Sequence, residues 1–337
     1  MKISSVLETL LDNHDLEETG AAELLRELID REVPDAAKGA VLAALRAKGE
    51  TVEEVRAMAI ALRDQATAVD LPSWECRVDT CGTGGDGAGS INISTATALV
   101  VAAMGIPVVK HGNRSVSSRS GSADVIEALG IGVATSPQEV EASLAATGFA
   151  FLFAPAFHPA MKAVSPVRKA LGVRTVFNLL GPLANPAAPT HQLMGAYSSR
   201  AAGLLAGALA GMGLERAFVV HGSPAWDEAT PVGPFLLLDV FEGKVRERAV
   251  DPAEYGLKRC RPEDLRGGDP SKNARLLEEV LRGDAGPRRD AVVLNAALVL
   301  QLVHDLPPLE AAERVTDTLE SGTAATMLAR LRARRAA

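Results

Sequence analysis

The chain has 337 residues, a formal net charge of -7 and 47 % hydrophobic residues, and these values exclude several classes of protein. The apolar content supplies a sizeable core and excludes a disordered chain, and the length suits one large domain or two. The acidic balance gives no overall electrostatic signal for nucleic-acid binding. Cys76, Cys81 and Cys260 lack zinc-ligand spacing, and we expect three reduced thiols.

The beginning of the sequence, MKISSVLETLLDNHDLEE, does not resemble a secretory signal. It lacks a basic start, a long apolar segment and a small-residue cleavage site. The longest apolar stretches, such as residues 96–104, are too short to span a bilayer. We therefore expect a cytoplasmic protein that does not associate with membranes or nucleic acid.

Residues 1–70 predict a small helical region, since apolar residues recur there at helical spacing and no strand pattern interrupts them. Thr51 and Glu54 have the spacing of a capping box, which marks the start of the fourth predicted helix. Short helices bury little surface alone. We therefore expect this region to pack on the rest of the chain or on a second subunit.

From residue 71 onward, strands alternate with helices, which indicates a mostly parallel sheet covered on both faces. The predicted strands are residues 78–81, 106–109, 149–153, 193–197 and 217–220, with a hairpin at 235–240 and 245–250. The helices between the strands are predicted at residues 95–104, 123–129, 137–146 and 204–212. Parallel sheets bind ligands at the carboxyl ends of their strands, so the loops at that edge are the candidate sites.

The predicted fold class is therefore α/β, a mostly parallel sheet flanked by helices, plus a smaller all-helical domain. Residues 159–188 interrupt the α/β pattern and predict helix–turn–helix without a strand. We predict that this insertion joins residues 1–70 in the helical domain. Residues 71–158 and 189–337 would then form the α/β domain.

A glycine-rich loop follows the first predicted strand, with five glycines among residues 82–89 (GTGGDGAG). Glycine permits positive φ and close backbone approach, so this loop offers N–H donors to a phosphate or diphosphate. Ser94 and Thr95 then begin a predicted helix, whose N-terminus adds partial positive charge. The alternatives are a tight turn without a ligand and a dinucleotide site. The second is disfavoured, because the next strand ends in Lys110 and His111 instead of an acid.

A second polar segment, residues 110–122 (KHGNRSVSSRSGS), begins where the second predicted strand ends. It holds three cationic side chains and five serines, with no acidic residue. Hydroxyls, amides and a lysine are suitable groups for a polyphosphate or a sugar phosphate. A loop that is merely solvated would be expected to contain acids, so we favour a binding role.

Two further candidates carry charge elsewhere in the chain. Asp227 and Glu228 follow a predicted strand, and Mg²⁺ favours one or two carboxylates together with water and substrate oxygens. Adjacent residues in extended backbone point to opposite sides, so the pair could reach two ions, or one ion from two directions. Arg168 lies in the predicted insertion and carries the planar fork that binds a carboxylate. Taken alone, each of these charges is more often a solvated surface group.

Several motifs in chain order resemble those of the anthranilate phosphoribosyltransferase family. They are DTCGTGGD at residues 79–86, NIST at 92–95, KHGNRS at 110–115, SGSADVIEALG at 120–130, FLFAP at 151–155, HPAMK at 158–162, PVR at 166–168, RTVFNLLGPL at 174–183 and DE at 227–228. The similarity is strong over roughly residues 70–285. One departure is the pair of residues on each side of DE, Ala-Trp before and Ala-Thr after, where the family more often has Gly-Leu and Ile-Ser.

The resemblance implies a fold of the nucleoside phosphorylase/phosphoribosyltransferase type, in which a helical domain is joined to an α/β domain. It implies a homodimer formed through the helical domain. The implied reaction joins anthranilate to 5-phosphoribosyl 1-diphosphate (PRPP) with release of diphosphate, in tryptophan biosynthesis. Group transfer of this kind agrees with the absence from the sequence of a nucleophile–base pair at convincing spacing.

The resemblance also implies roles for individual residues, none of them as a general acid or base. Those implied to bind PRPP are Gly82, Gly85, Asp86, Ser90, Asn92, Ile93, Ser94, Thr95, Lys110, His111, Gly112, Asn113, Arg114, Ser115, Val116, Ser117, Ser118 and Ser122. Those implied to contact anthranilate are Gly82, Asn113 and Arg168. Those implied to hold Mg²⁺, which we expect as two ions per subunit, are Ser94, Asp227 and Glu228.

Two other functions remain as alternatives at this point. A pyrimidine nucleoside phosphorylase is similar in fold, but its loop carries Lys-His-Ser before the glycines, where this chain has Asp79-Thr80-Cys81. A non-catalytic nucleic-acid-binding relative would be expected to be basic, and this chain is acidic.

Overall fold

A computed structural model describes residues 2–115 and 119–336 of the chain. Within these ranges one sheet contains seven strands, in the order β3-β2-β1-β4-β5-β6-β7. The strands are β1 Val78–Gly82, β2 Val108–Gly112, β3 Phe149–Phe153, β4 His191–Gly195, β5 Arg216–His221, β6 Phe235–Phe241 and β7 Lys244–Val250. Strands β1 to β5 are parallel, and β6 and β7 extend the sheet as an antiparallel hairpin. The mostly parallel sheet predicted from the sequence is confirmed.

The second strand ends at Gly112, whereas the sequence prediction ended it at residue 109. Strand β2 continues to Gly112, because Lys110, His111 and Gly112 pair in register with the last residues of β3. The Lys110 side chain is buried, and its ammonium donates hydrogen bonds to the Thr80 carbonyl and to Ser94 Oγ. A lysine can occupy a buried strand position when its donors find such acceptors.

The α-helices of the described ranges are α1 Ile3–Leu11, α2 Glu18–Ile29, α3 Asp35–Lys48, α4 Val52–Asp64, α5 Ile93–Ala103, α6 Ser122–Ala128, α7 Pro137–Thr147, α8 Ala154–Phe157, α9 Ser165–Leu171, α10 Phe177–Leu183, α11 Ser199–Ala210, α12 Pro270–Leu281, α13 Pro287–His304, α14 Pro308–Glu320 and α15 Thr323–Ala336. Helices α5 and α13 pack on the central strands, and α12, α14 and α15 add a further layer to the same core. Helix α11 packs on β5 and β6. The sheet is therefore flanked by helices, as the sequence predicts.

The N-terminal helices share a core with the inserted helices and with the sheet. Helix α3 packs against α9, and α4 against α10 and α11. The apolar cluster they form includes Leu25, Met58, Phe177 and Val219, all buried. The predicted capping box at the start of α4 is present, with Thr51 and Glu54 exchanging hydrogen bonds with each other's backbone N–H groups. These contacts support the predicted helical domain, whose boundaries stay a prediction.

No single helix in the described residues is long and apolar enough to cross a membrane. Helices α13 and α14 are long and apolar enough only when they are taken together, and the chain bends by 117° between them. The three cysteines are free thiols, as expected from their spacing.

Candidate active site

The candidate site lies where the order of the strands reverses direction. Strand β1 has β2 on one side and β4 on the other, so the chain winds outward in both directions from this point. Open parallel sheets bind ligands at such a crevice, outside the carboxyl ends of the strands. The glycine loop leaves β1 here, and the loop that carries Asp227 and Glu228 leaves β5 at the same edge.

The glycine loop is attached to its neighbours through backbone groups. The Thr83 N–H donates to the Gly195 carbonyl at 3.0 Å, and the Gly84 N–H donates to Asp227 Oδ2 at 2.6 Å. Gly84 and Gly85 have φ of +69° and +75°, a region that side chains disfavour. At Gly82, an added Cβ would lie 2.3 Å from Asp227 Oδ2. Close approach of the Asp227 carboxylate therefore requires glycine at position 82.

Asp227 and Glu228 are directed to different partners, as adjacent residues in extended backbone would be. Asp227 meets the glycine loop, whereas Glu228 Oε1 accepts a hydrogen bond from the Ser94 N–H at 3.2 Å at the start of α5. Trp226 and Gly222 exchange two backbone hydrogen bonds of 2.8 and 2.9 Å, and the Trp226 side chain is buried. The unusual Ala-Trp before the carboxylates is therefore accommodated in the core.

The surroundings of these two carboxyl groups disfavour their ionised forms. Burial, followed by the charges of Glu228 and Asp86, raises the pKa of Asp227 well above its usual range. Burial also raises the pKa of Glu228 to about 7, although Lys110 opposes the shift. Like charges brought together in a desolvated place favour either protonation or a bound cation. Charge complementarity at this point therefore favours a metal ion.

Ser94 lies between Glu228 and Lys110. Its Oγ is 3.4 Å from Lys110 Nζ, and its carbonyl accepts a hydrogen bond from Thr80 Oγ1 at 2.9 Å. Helix α5 begins at Ile93, two residues before the predicted start, so Ser94 and Thr95 lie in its first turn. The side chains of Ile93 and Thr95 are buried, and their backbone N–H groups donate to the Ile91 carbonyl at 2.8 Å and the Asn92 carbonyl at 3.1 Å. The structure brings Ser94, Lys110, Asp227, Glu228 and the glycine loop together.

The second polar loop folds back on the start of α6. The Asn113 carbonyl accepts hydrogen bonds from the Ala123 N–H at 3.2 Å and from Ser122 Oγ at 3.3 Å. Arg114 pairs with Glu127 at 2.7 Å, so its charge is directed to α6. The Ser115 N–H donates to Asp124 Oδ2 at 3.1 Å. The predicted donor-binding residues Val116, Ser117 and Ser118 lie outside the described residues.

Arg168 on α9 is more isolated from the other predicted site residues. Its guanidinium lies 5.2 Å from the centre of the Phe177 ring, and burial lowers its pKa. Among the described residues no ion pair balances this charge. A half-buried cation without an ion-pair partner is suited to an anionic ligand.

The His111 and His158 rings form a buried aromatic pair with centroids 5.1 Å apart. Burial, followed by the neighbouring His158, lowers the pKa of His111 to about 3. Burial likewise lowers the pKa of His158. Both rings are therefore neutral near pH 7, and neither is a cation for phosphate binding. His158 precedes the insertion but donates no side-chain cap to it.

Other residues support the site without having been predicted to do so. Arg174 donates a hydrogen bond to the Gly85 carbonyl at 2.9 Å, and its guanidinium lies 4.3 Å from the centre of the Tyr197 ring. It thereby connects the insertion to the glycine loop. Asn185, at the end of the insertion, donates to Asp79 Oδ2 at 2.9 Å. Arg174 begins the RTVFNLLGPL motif and Asn185 lies two residues beyond its end, but only the folded chain shows what they contact.

Comparison with known proteins agrees with this geometry. Residues 75–325 match the family model described as glycosyl transferase family, a/b domain, and residues 4–66 match the helical bundle domain of that family. Anthranilate phosphoribosyltransferase of Desulforudis audaxviator is 46% identical over 98% of this chain and 95% of its own length. That of Solibacter usitatus is 50% identical over 89% of this chain and 88% of its own length. The chain belongs to the anthranilate phosphoribosyltransferase family.

Solved structures of this family superimpose closely on the chain. The crystal structure of anthranilate phosphoribosyltransferase from Thermus thermophilus has a TM-score of 0.92 and 41% identity, covering 98% of this chain and 99% of that one. The Saccharomyces cerevisiae enzyme in complex with PRPP and Mg has a TM-score of 0.90 and 28% identity, covering 99% and 98%. Membership of this family sets aside a pyrimidine nucleoside phosphorylase and a non-catalytic protein as alternatives.

Proposed function

We propose that this protein transfers the 5-phosphoribosyl group from PRPP to the amine of anthranilate, giving N-(5-phosphoribosyl)anthranilate and diphosphate. This is the second step of tryptophan biosynthesis from chorismate. The observation that carries the proposal is the meeting of a glycine loop with two desolvated carboxylates at the point where the strand order reverses. Such a place suits a diphosphate together with a divalent cation. The family to which the chain belongs supports the choice of substrates.

Donor binding would depend mainly on backbone groups. The glycine loop would offer the Gly85 N–H, since those of Thr83 and Gly84 donate to Gly195 and Asp227. The helix dipole at the start of α5 also favours negative charge. Lys110 adds a cation at the base of this region. We propose that the residues implied by the resemblance, from Gly82 to Thr95 and from Lys110 to Ser122, form the PRPP site.

The residues present fit Mg²⁺, which we propose is held by Ser94, Asp227 and Glu228. Burial raises the pKa of both carboxyl groups and the charge of Asp86 raises both further, so a cation would relieve an unfavourable concentration of negative charge. Among the described residues no three His, Cys, Asp or Glu side chains converge on a metal position. Further ligands would therefore come from a hydroxyl, water and the donor's own oxygens. We keep two ions per subunit as a prediction.

The chain's own residues would act by positioning the two substrates. Arg168 would bind the acceptor carboxylate, and Gly82 and Asn113 would contact the acceptor beside the sugar. The amine would attack the anomeric carbon of the ribose as the bond to the diphosphate oxygen breaks, and its nitrogen would then release one proton to water. When bound, Mg²⁺ supplies electrostatic stabilisation to the departing diphosphate. Loop amides would add to this stabilisation, and an aromatic amine is nucleophilic enough to need no strong protein base.

Two further properties accompany this function as predictions. We propose a homodimer formed through the helical domain, since the apolar residue Leu11 of α1 is 68 % exposed on that domain. We also propose a cytoplasmic location, where the biosynthetic substrates would be available. Size-exclusion chromatography with light scattering tests the first of these proposals.

Loss of anthranilate fluorescence gives a direct assay of the proposed function. We expect the signal to fall only when protein, PRPP and Mg²⁺ are all present, and chelation by EDTA should stop it. Turnover without PRPP, or none in the complete mixture, would contradict the proposal. A parallel reaction with a pyrimidine nucleoside and phosphate tests the alternative chemistry, and we expect no product there.

A further inference from the structure

The segment that precedes α12 pairs with the far end of the glycine loop. The Ile91 N–H donates to the Leu265 carbonyl at 3.0 Å, and the Gly267 N–H donates to the Gly89 carbonyl at 2.9 Å. An added Cβ at Gly267 would lie 2.6 Å from the Ser90 carbonyl oxygen. Residues 265–268 therefore contact the glycine loop through backbone hydrogen bonds, with no room for a side chain at position 267.

A line of three amide hydrogen bonds starts from this segment. The Gly268 N–H donates to Asn273 Oδ1 at 2.7 Å, and Asn273 Nδ2 donates to Asn92 Oδ1 at 2.8 Å. Asn92 Nδ2 then donates to the Ser120 carbonyl at 3.4 Å. Asn273 is only 1 % exposed. The line thus runs from α12, through the residue before α5, to the second polar loop.

The direction of every bond in this line is determined by its first member. A backbone N–H can only donate, so Asn273 must present its carbonyl oxygen to Gly268 and its NH₂ to Asn92. Asn92 must therefore present its oxygen to Asn273, which leaves its NH₂ for the Ser120 carbonyl, a pure acceptor. Asn92 also precedes α5 without capping it, so its side chain is free for this role. The orientation of Asn92 consequently depends on Asn273.

We propose that Asn273 is a positioning residue for the transfer reaction, which sets the orientation of Asn92 and ties the two donor-binding loops together. The inference rests on the proposed function, in which both loops bind PRPP. Asn273 is buried behind Asn92, so it acts through that residue. Without Asn273 the two loops would lose this connection and could adopt other relative positions, so donor binding would have to order them.

The test is Asn273→Asp, which is isosteric and keeps the acceptor for Gly268 but cannot donate to Asn92. Gln301→Glu is the matched control, because Gln301 is also a buried amide that accepts one bond, from Tyr255 Oη at 2.6 Å, and donates another, to the Leu306 carbonyl at 3.1 Å. We expect N273D to weaken PRPP binding, measured by calorimetry with Mg²⁺, roughly tenfold. The control should retain wild-type affinity. The KM for anthranilate at saturating PRPP should not change in either variant.

Asn273→Leu separates orientation from the added charge of the first variant. It removes both bonds without introducing an ion, so it should weaken PRPP binding to a similar degree and also lower the melting temperature. The proposal would be overturned if N273D weakened PRPP binding and N273L did not. It would also be overturned if neither variant weakened PRPP binding more than Q301E does. Wild-type turnover with anthranilate tests the proposed function separately, because the comparison between variants uses donor binding and not product formation.

Discussion

The two ends of the sheet differ in how their charged side chains are paired. At the amino ends of β4 and β5, Arg216 binds Asp239 through two hydrogen bonds of 3.0 and 2.8 Å and Asp305 through a third of 2.9 Å. These residues line a cavity of about 510 Å³, and the hydrogen bonds to Asp239 raise the pKa of Arg216. At the carboxyl ends, Asp227 is buried and Glu228 half-buried, and neither has such an ion pair among the described residues.

This difference distinguishes charge that stabilises the fold from charge that is kept for a ligand. Ion pairs whose hydrogen-bonding groups are already satisfied stabilise the folded state and have few free groups with which to bind a substrate. Unbalanced buried charges cost folding free energy and persist where function needs them. Removing a charge should therefore have opposite consequences at the two ends.

The largest effect is expected from Asp227→Asn combined with Glu228→Gln. Both amides can still accept hydrogen bonds from the Gly84 and Ser94 N–H groups, so the loops should keep their positions. We expect kcat/KM to fall roughly a thousandfold, since charge stabilisation at the leaving group would be lost. The melting temperature without Mg²⁺ should equal or exceed that of the wild type, because two buried like charges are removed. Unchanged Mg²⁺-dependent turnover would refute the metal assignment.

A smaller effect is expected from Arg168→Ala. The variant removes a desolvated cation proposed to bind the acceptor carboxylate, and the KM for anthranilate should rise roughly 10- to 100-fold. The KM for PRPP should change much less. Arg168→Lys is the control, since it keeps the charge but loses the planar fork, and it should give an intermediate KM. Equal increases in both KM values would contradict an acceptor role.

The smallest effect, and the clearest contrast, is expected from Asp239→Asn at the opposite end of the sheet. It leaves Arg216 with one exposed partner, so we expect the free energy of unfolding to fall by about 1 to 2 kcal/mol in denaturant titrations. Turnover should not change. Asp305→Asn, at a side chain that is 87% exposed, should cost less. If D239N lost turnover without losing stability, the charges at the two ends of the sheet could no longer be divided into stabilising and ligand-binding ones.

Part of the architecture could be read from local patterns. Alternating strands and helices gave the parallel sheet, and Thr51 with Glu54 gave the start of α4, because periodicity and capping depend on neighbours in sequence. The end of β2 could not be read in this way. Lys110 is a strand residue only because Thr80 and Ser94 supply acceptors from other elements.

The amino-acid sequence by itself determined the chemistry available to this protein: glycines for a phosphate loop, a carboxylate pair, an arginine in a helical insertion and a set of linked motifs. Tertiary structure decided which of these groups meet. It joined Asp227 to Gly84, Glu228 to Ser94 and Arg174 to Gly85, across 143, 134 and 89 positions of chain. It also revealed Asn273, which carries no local signal because an amide's role is set by the partners that folding brings to it.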